Sequence, residues 1–283
     1  MSSDTADPSV LRPILLCHFA DLVPSAGGPR PARRKANIPR KPVTPASKPA
    51  AARPRLLDLF CGAGGAARGY HQAGFDVLGV DKEPQKNYPF ESVRADALAY
   101  LTQFGGLFDA IHASPPCQRF SKTSFMNAKS ARRKEHPDLL TPVREILLGL
   151  GKPWIIENVQ GAPMQPPAVK LCGLMFGLRV FRHRWFESSE MLFVPHHPSH
   201  AGHLIGKAGM CCVVGNGGGI SRRARECRKA EGKGAQPTEE AWEAAMGIDW
   251  MTRDELSQSI PPAYTRHLGV QLMRILENTK GDR

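Results

Sequence analysis

The sequence predicts an α/β protein with a mostly parallel sheet and helices on both faces. Three observations carry this expectation. Short apolar runs alternate with helical patterns from Arg55 onward. The first run ends in a glycine-rich turn, the usual opening of a ligand site on such a sheet. The most distinctive short motifs all fall at the carboxyl ends of predicted strands, where ligands of α/β sheets sit.

Leu56-Leu57-Asp58-Leu59-Phe60 reads as a strand running into Cys61-Gly62-Ala63-Gly64-Gly65. Ala66 to Ala73 reads as a helix, and Phe75 to Asp81 as a second strand that ends in an acid. Phe108 to Ala113 and Pro153 to Glu157 are two further strands. Between them, Leu140, Val143, Leu147 and Leu150 repeat at helical spacing, which predicts a helix over 139–150. Residues 188–237 are rich in Gly, His and Arg with little helical period, so they read as a small irregular lobe. Thr238 to Gly247 is helical, and a last helix from Pro262 to Leu276 is expected to pack back on the sheet near the first strand. Residues 1–54 hold 10 of the 25 prolines and many Ala and Arg. Such a segment buries too little apolar surface to offset ordering entropy, so a disordered tail is expected. The chain thus divides into 1–54, 55–187, 188–237 and 238–283, the last completing the main domain.

The 283 residues are 41% hydrophobic, enough for one sizeable core. Net charge is +12, which points to an acidic partner such as nucleic acid. Residues 1–54 carry nine Lys and Arg against three Asp, so half of that excess belongs to the remainder of the chain. Seven irregularly spaced cysteines argue against a secreted disulfide framework. No apolar run is long enough to span a bilayer, and the weakly apolar stretch 14–23 is interrupted by His18 and Asp21. A cytoplasmic monomer with no membrane partner is expected.

Glycines at 62, 64 and 65 let backbone approach a ligand where a Cβ would collide. Asp81 stands 23 residues beyond Asp58, a spacing that suits a ribose hydroxyl pair. Asp96 is a candidate acceptor for an adenine amino group. A dinucleotide such as NAD is the weaker alternative, because Ala67 stands where the third glycine of G-x-G-x-x-G would fall.

Three motifs in order then resemble the cytosine-C5 DNA methyltransferase family of phage and bacterial type. They are Asp58-x-Phe60-x-Gly62-x-Gly64-Gly65, Pro115-Pro116-Cys117-Gln118 and Glu157-Asn158-Val159. The resemblance covers residues 55 to about 275 and is strongest up to Phe186. It implies the methyltransferase type of Rossmann-like sheet with a small target-recognition lobe at 188–237. It also implies S-adenosylmethionine (SAM) as cofactor, with Phe60 packing on its adenine and Pro115 among the residues that hold it. The implied reaction is methylation of cytosine C5 in double-stranded DNA. The same chemistry on RNA, and a non-catalytic nucleic-acid-binding relative, are the alternatives.

The residues suit that chemistry. C5 of cytosine is not nucleophilic until a thiolate adds to C6 and breaks the aromaticity. Cys117 follows a strand on a turn stiffened by two prolines, and Glu157 ends a neighbouring strand where a carboxyl can neutralise N3. Asn158 is expected, by resemblance, to fix the loop geometry. Cys61 belongs to the cofactor turn and is given no chemistry. Phe181-Arg182-His183-Arg184 resembles the family's Gln-x-Arg-x-Arg motif, with Val180 in the glutamine's place. Arg182 and Arg184 are therefore implied to hold the flipped base and the catalytic loop. Ser259 to Tyr264 resembles the last family motif without its Gly-Asn lead.

Two basic runs are expected to contact phosphates, one from Arg119 to Lys134 after the nucleophile and one from Arg222 to Lys233. A base inside a duplex must be extruded to be reached, and a basic loop suits the displaced strand. His196, His197, His200 and His203 with Cys211 and Cys212 match no standard zinc finger, so no metal is expected.

Overall fold

The computed structural model describes residues 53–117, 137–203, 210–213 and 238–281. The expected tail up to residue 52, both basic runs and most of the irregular lobe lie outside the described residues.

The strands are β1 (Arg55–Leu59), β2 (Asp76–Asp81), β3 (Glu91–Arg94), β4 (Ala110–Ala113), β5 (Trp154–Asn158), β6 (Ala168–Leu171) and β7 (Arg184–Ser188). They form one sheet in the order β3-β2-β1-β4-β5-β7-β6. Strands β1 to β5 run parallel, whereas β7 is antiparallel to both β5 and β6. The α-helices among the described residues are α1 (Gly65–Ala73), α2 (Ala97–Phe104), α3 (Leu140–Leu150), α4 (Glu239–Met246), α5 (Arg253–Gln258) and α6 (Pro262–Gly281).

The central strands β1, β2, β4 and β5 are buried on both faces, so they read as apolar runs rather than alternating ones. Alternation instead decides which face each side chain serves. Leu56, Ala110, Ile155 and Phe186 share a cluster with Tyr70 of α1 and Tyr264, Leu268 and Leu272 of α6. Leu57, Ile111 and Ile156, one residue further along, join Leu101 of α2 and Val143 and Leu147 of α3 on the opposite face. The polar residues Asp58, His112 and Glu157 lie two positions beyond Leu56, Ala110 and Ile155, and so on the α1/α6 face. The pairings Asp58↔His112 and Glu157↔Phe186 keep them in neighbouring strands of that face.

Helix α1 has only nine residues and two glycines, too few to be stable alone. Its packing against α6 holds it. A Cβ on Gly69 would strike Thr265 Oγ1 and the Pro262 carbonyl, and one on Gly65 would strike the Ile260 carbonyl. Close approach of the two helices therefore requires glycine at 69, and the approach of the segment that leads into α6 requires it at 65. Thr265 Oγ1 donates to the Ala66 carbonyl at 2.8 Å across the same contact.

The opposite face carries a buried ion pair. Arg144 of α3 reaches Glu187 of β7 through Nε (2.6 Å) and a terminal nitrogen (2.8 Å), and Gln165 N–H donates to the same carboxylate at 2.7 Å. A smaller apolar cluster joins α4 and α5, through Trp242, Met246 and Leu256, to Val180, Cys211 and Val213. It reaches the first turn, where Ala63 is a member and Trp250 Nε1 donates to the Ala63 carbonyl at 2.9 Å.

Candidate active site

The turn after β1 is shaped by its backbone. Phe60 adopts φ +57°, a left-handed conformation uncommon for a residue with a Cβ. Gly62 and Gly64 follow at φ +48° and +83°. A Cβ on Gly64 would lie 2.7 Å from Pro89 Cδ and 2.9 Å from the Tyr88 ring, so this position is glycine for two reasons.

The polar groups of the turn discriminate between possible ligands. Asp81, at the end of β2, accepts from Gly62 N–H and Glu83 N–H, both at 3.0 Å. The donor that a phosphate-binding turn would offer is thus already occupied by a carboxylate. Asp58 is 1% exposed, its Oδ2 takes a long contact from Tyr88 Oη at 3.4 Å, and its Oδ1 has no partner. Burial pushes the Asp58 carboxyl up to about 8, with Asp81 adding to the rise against the Tyr88 contact. With Asp81 on the turn's donor and Asp58 buried beside it, a pyrophosphate finds no free N–H of Gly62 there. The two acids suit a ligand that brings ribose hydroxyls and positive charge, as SAM does, and the orphaned Oδ1 fits a donor from such a ligand. Asp58, Asp81 and the Gly62 to Gly64 backbone are the residues that would hold it. Gly65 owes its identity to helix packing, and Asp96 caps α2 by accepting from Ala99 N–H at 3.0 Å.

Cys117 and Glu157 arrive from adjacent strands. Cys117 is half-buried just beyond β4, and Glu157 is buried in β5. Asn158 Nδ2 donates to the Pro115 carbonyl at 3.1 Å, tying the Pro-Pro-Cys turn to the strand that carries Glu157. Burial pushes the Glu157 carboxyl up, opposed by Arg184, Arg182 and a hydrogen bond from Ser114. The Cys117 thiol is also raised by burial and by Glu157, against Arg184 and Arg182. Cys61 is buried, and burial together with Asp58 and Asp81 drives its thiol further up. The two arginines facing Cys117 are what separate it electrostatically from Cys61.

The two arginines do different work. Arg184 Nε lies 2.9 Å from Glu157 Oε1. That N–H is not aimed at the oxygen, so Oε1 has an ion-pair neighbour and no directed hydrogen bond. It keeps its capacity for another donor. Arg182, at φ +32°, spends its guanidinium on the carbonyls of Ser259 (2.7 Å), Ser257 (2.8 Å) and Val213 (3.0 Å). Tyr264 Oη donates to the Arg182 carbonyl at 3.0 Å. Burial and Arg184 lower the Arg182 guanidinium to about 9. Arg182 therefore rivets the Ser257 to Ser259 segment, and Arg184 is the arginine that meets the Glu157 carboxyl.

Three residues that the motifs do not mark complete the site. Tyr70 Oη lies 3.0 Å from His112 Nδ1, and His112 Nε2 lies 2.9 Å from Ser114 Oγ, the neighbour of Glu157. Burial lowers the His112 imidazole to about 3, so it is neutral, donating from one nitrogen and accepting at the other. The signal for them was the period of two along β4, which puts His112 and Ser114 on the same face as Glu157. The apolar groove along α6, lined by Met191, Phe193 and Val270 among others, shares no residue with this site.

A sheet in this order, with acids in place of phosphate donors at the first turn, defines the fold class of the SAM-dependent methyltransferases. Solved structures agree. A putative DNA modification methyltransferase encoded within an E. coli prophage superposes with TM-score 0.51 at 14% identity, covering 79% of this chain and 99% of that one. The Dnmt2 methyltransferase of S. pombe gives 0.52 at 15% identity, with 79% and 99% covered. Residues 55–165 match the family model described as C-5 cytosine-specific DNA methylase. The Type II methyltransferase M.AgeI of Thalassovita gelatinovora is 29% identical over 123 residues, 38% of this chain and 28% of that protein. M.FnuDI of Fusobacterium nucleatum is 28% identical over 115 residues, 38% and 33% respectively. The matched region spans about a third or less of the curated relatives. Over residues 55–165 the chain is thus similar to the cytosine-C5 DNA methylases.

Proposed function

We propose that this protein transfers a methyl group from SAM to C5 of cytosine in double-stranded DNA, on a base extruded from the helix. The observation that carries the reading is the Asn158 to Pro115 bond, which holds the nucleophile's turn against the strand of a buried glutamate whose carboxyl burial pushes up. When bound, SAM supplies an electrophilic methyl group. The protein's own residues do the rest. Cys117 Sγ, as thiolate, bonds to C6. Glu157 donates to N3, so the electron pair released from the C5–C6 double bond is not left as a ring anion. C5 becomes an enamine carbon and takes the methyl group. A base then removes the C5 proton, the N3 proton returns to Glu157, the Sγ–C6 bond breaks and the aromatic ring returns. Arg184 holds the Glu157 side chain, and so does Ser114, which is itself held by His112.

The test is incubation with tritiated SAM and either duplex DNA or tRNA, beside DNA carrying 5-fluorocytosine. Label should enter DNA, and the fluorinated DNA should form a denaturation-resistant adduct that Cys117→Ala cannot form. Label in tRNA alone would assign the same chemistry to RNA. A wild-type protein that binds the fluorinated DNA without an adduct would overturn the covalent step.

A further inference from the structure

Outside the active site, four metal-ligating side chains from three parts of the chain converge. Cys172 immediately follows β6, His183 immediately precedes β7, and His197 and His200 lie in the stretch after it. Their ligand atoms all fall within 4.8 Å of one another. Cys172 Sγ is 3.4 Å from His200 Nε2, and His183 Nε2 is 3.0 Å from His197 Nε2. A tetrahedral zinc with Zn–S of about 2.3 Å and Zn–N of about 2.0–2.1 Å places ligand atoms about 3.6 Å (S to N) and about 3.3 Å (N to N) apart. Both observed separations lie within a few tenths of an ångström of those edges.

The packing favours a central ion over two separate hydrogen bonds. The His183 ring stacks near those of His197 and His200, with centroids 5.2 and 5.0 Å apart, and Phe181 backs His200 at 4.1 Å. Pairwise hydrogen bonds would not require three imidazoles and a buried thiol to turn their ligand atoms to one point. We propose that Cys172, His183, His197 and His200 bind one zinc ion at a closed, structural site. One thiolate and three imidazoles suit zinc, and four protein ligands leave no position for water or substrate.

The site has a mechanical purpose. Residues 189–203 contain no helix or strand and bury little besides Leu192. A metal bridging His197 and His200 to Cys172 and His183 supplies the cross-link that this stretch lacks. His183 lies between Arg182 and Arg184. An ion held there fixes the backbone from which one arginine reaches Glu157 and the other grips the Ser257 to Ser259 carbonyls.

The experiment uses the full chain without a histidine tag. After zinc reconstitution and dialysis against buffer, elemental analysis should find about one zinc per chain. Cobalt exchange should give the visible bands of tetrahedral cobalt and a thiolate charge-transfer band, the latter lost in Cys172→Ser. His197→Ala and His200→Ala should lose stoichiometric retention, whereas His196→Ala and His203→Ala should keep it. A cooperative melt confirms that each variant folds, and chelation should lower the melting temperature of the wild type. A wild type that retains no stoichiometric metal, or His197→Ala and Cys172→Ser variants that retain as much as the wild type, would overturn the site.

Discussion

Residues of one type at similar places in the fold are asked for different properties here. Glu157 and Asp81 are both strand-end acids, but only Glu157 is buried against an arginine. Glu157→Gln should lower methyl transfer by roughly 10²–10⁴-fold, the usual contribution of a positioned acid, with SAM affinity nearly unchanged. Asp81→Ala should weaken SAM binding instead. Calorimetry on both variants decides; equal losses of cofactor affinity would mean the acids are misassigned. Asp58 makes a pH-dependent prediction. Its carboxyl titrates near 8 in the fold against 3.8 in the unfolded chain. A raised folded pKa gives stability that is full below the lower value and lost as pH rises through the upper one. Asp58→Asn should therefore gain melting temperature relative to wild type between pH about 5 and about 8. A bound cation favours the carboxylate, so SAM binding should release a proton below pH about 8 and tighten as that value is approached. Binding enthalpies identical in buffers of different ionisation enthalpy would rule out that role for Asp58.

At the scale of elements, two contacts hold the frame that aims the site. The α1/α6 packing depends on Gly69, and an added methyl there must push the helices apart. Gly69→Ala should cost about 1–3 kcal/mol, the range for overpacking. The Arg144 to Glu187 pair anchors α3 to β7, the strand that presents Arg184. Glu187→Ala leaves a guanidinium buried and unpaired, which should cost about 3–5 kcal/mol. Denaturant unfolding measures both. A Glu187→Ala loss under about 1 kcal/mol, the range of an exposed pair, would mean that water replaces the carboxylate.

At the scale of the whole molecule, the charge belongs to more than the tail. Replacing Arg222, Arg223, Arg225 and Arg228 with Ser should weaken DNA binding and flatten its salt dependence, by about one unit of log–log slope for each phosphate no longer neutralised. SAM affinity should not change. An unchanged slope would make that run a solvated surface. None of the described helices is long and apolar enough to cross a membrane.

Much of this is legible in the sequence. The core strands β1, β2, β4 and β5 announce themselves as apolar runs, because parallel strands are covered on both faces. The edge strand β3, Glu91 to Arg94, is exposed at three of four positions and leaves no apolar signature. Cys117 and Glu157 are marked by motifs, since a nucleophile's turn and a strand-end acid are local features of the chain. What the sequence alone determined was the four core strands, the helices that became α1, α3, α4 and α6, and the motifs that nominate Cys117 and Glu157. Only the tertiary structure divided the labour between Arg182 and Arg184, placed His112 and Ser114 behind Glu157, and drew Cys172 and His183 to His197 and His200. Those relations join residues far apart in the chain. Sequence periodicity fixes the face a side chain takes, but the packing of separate elements decides what it meets there.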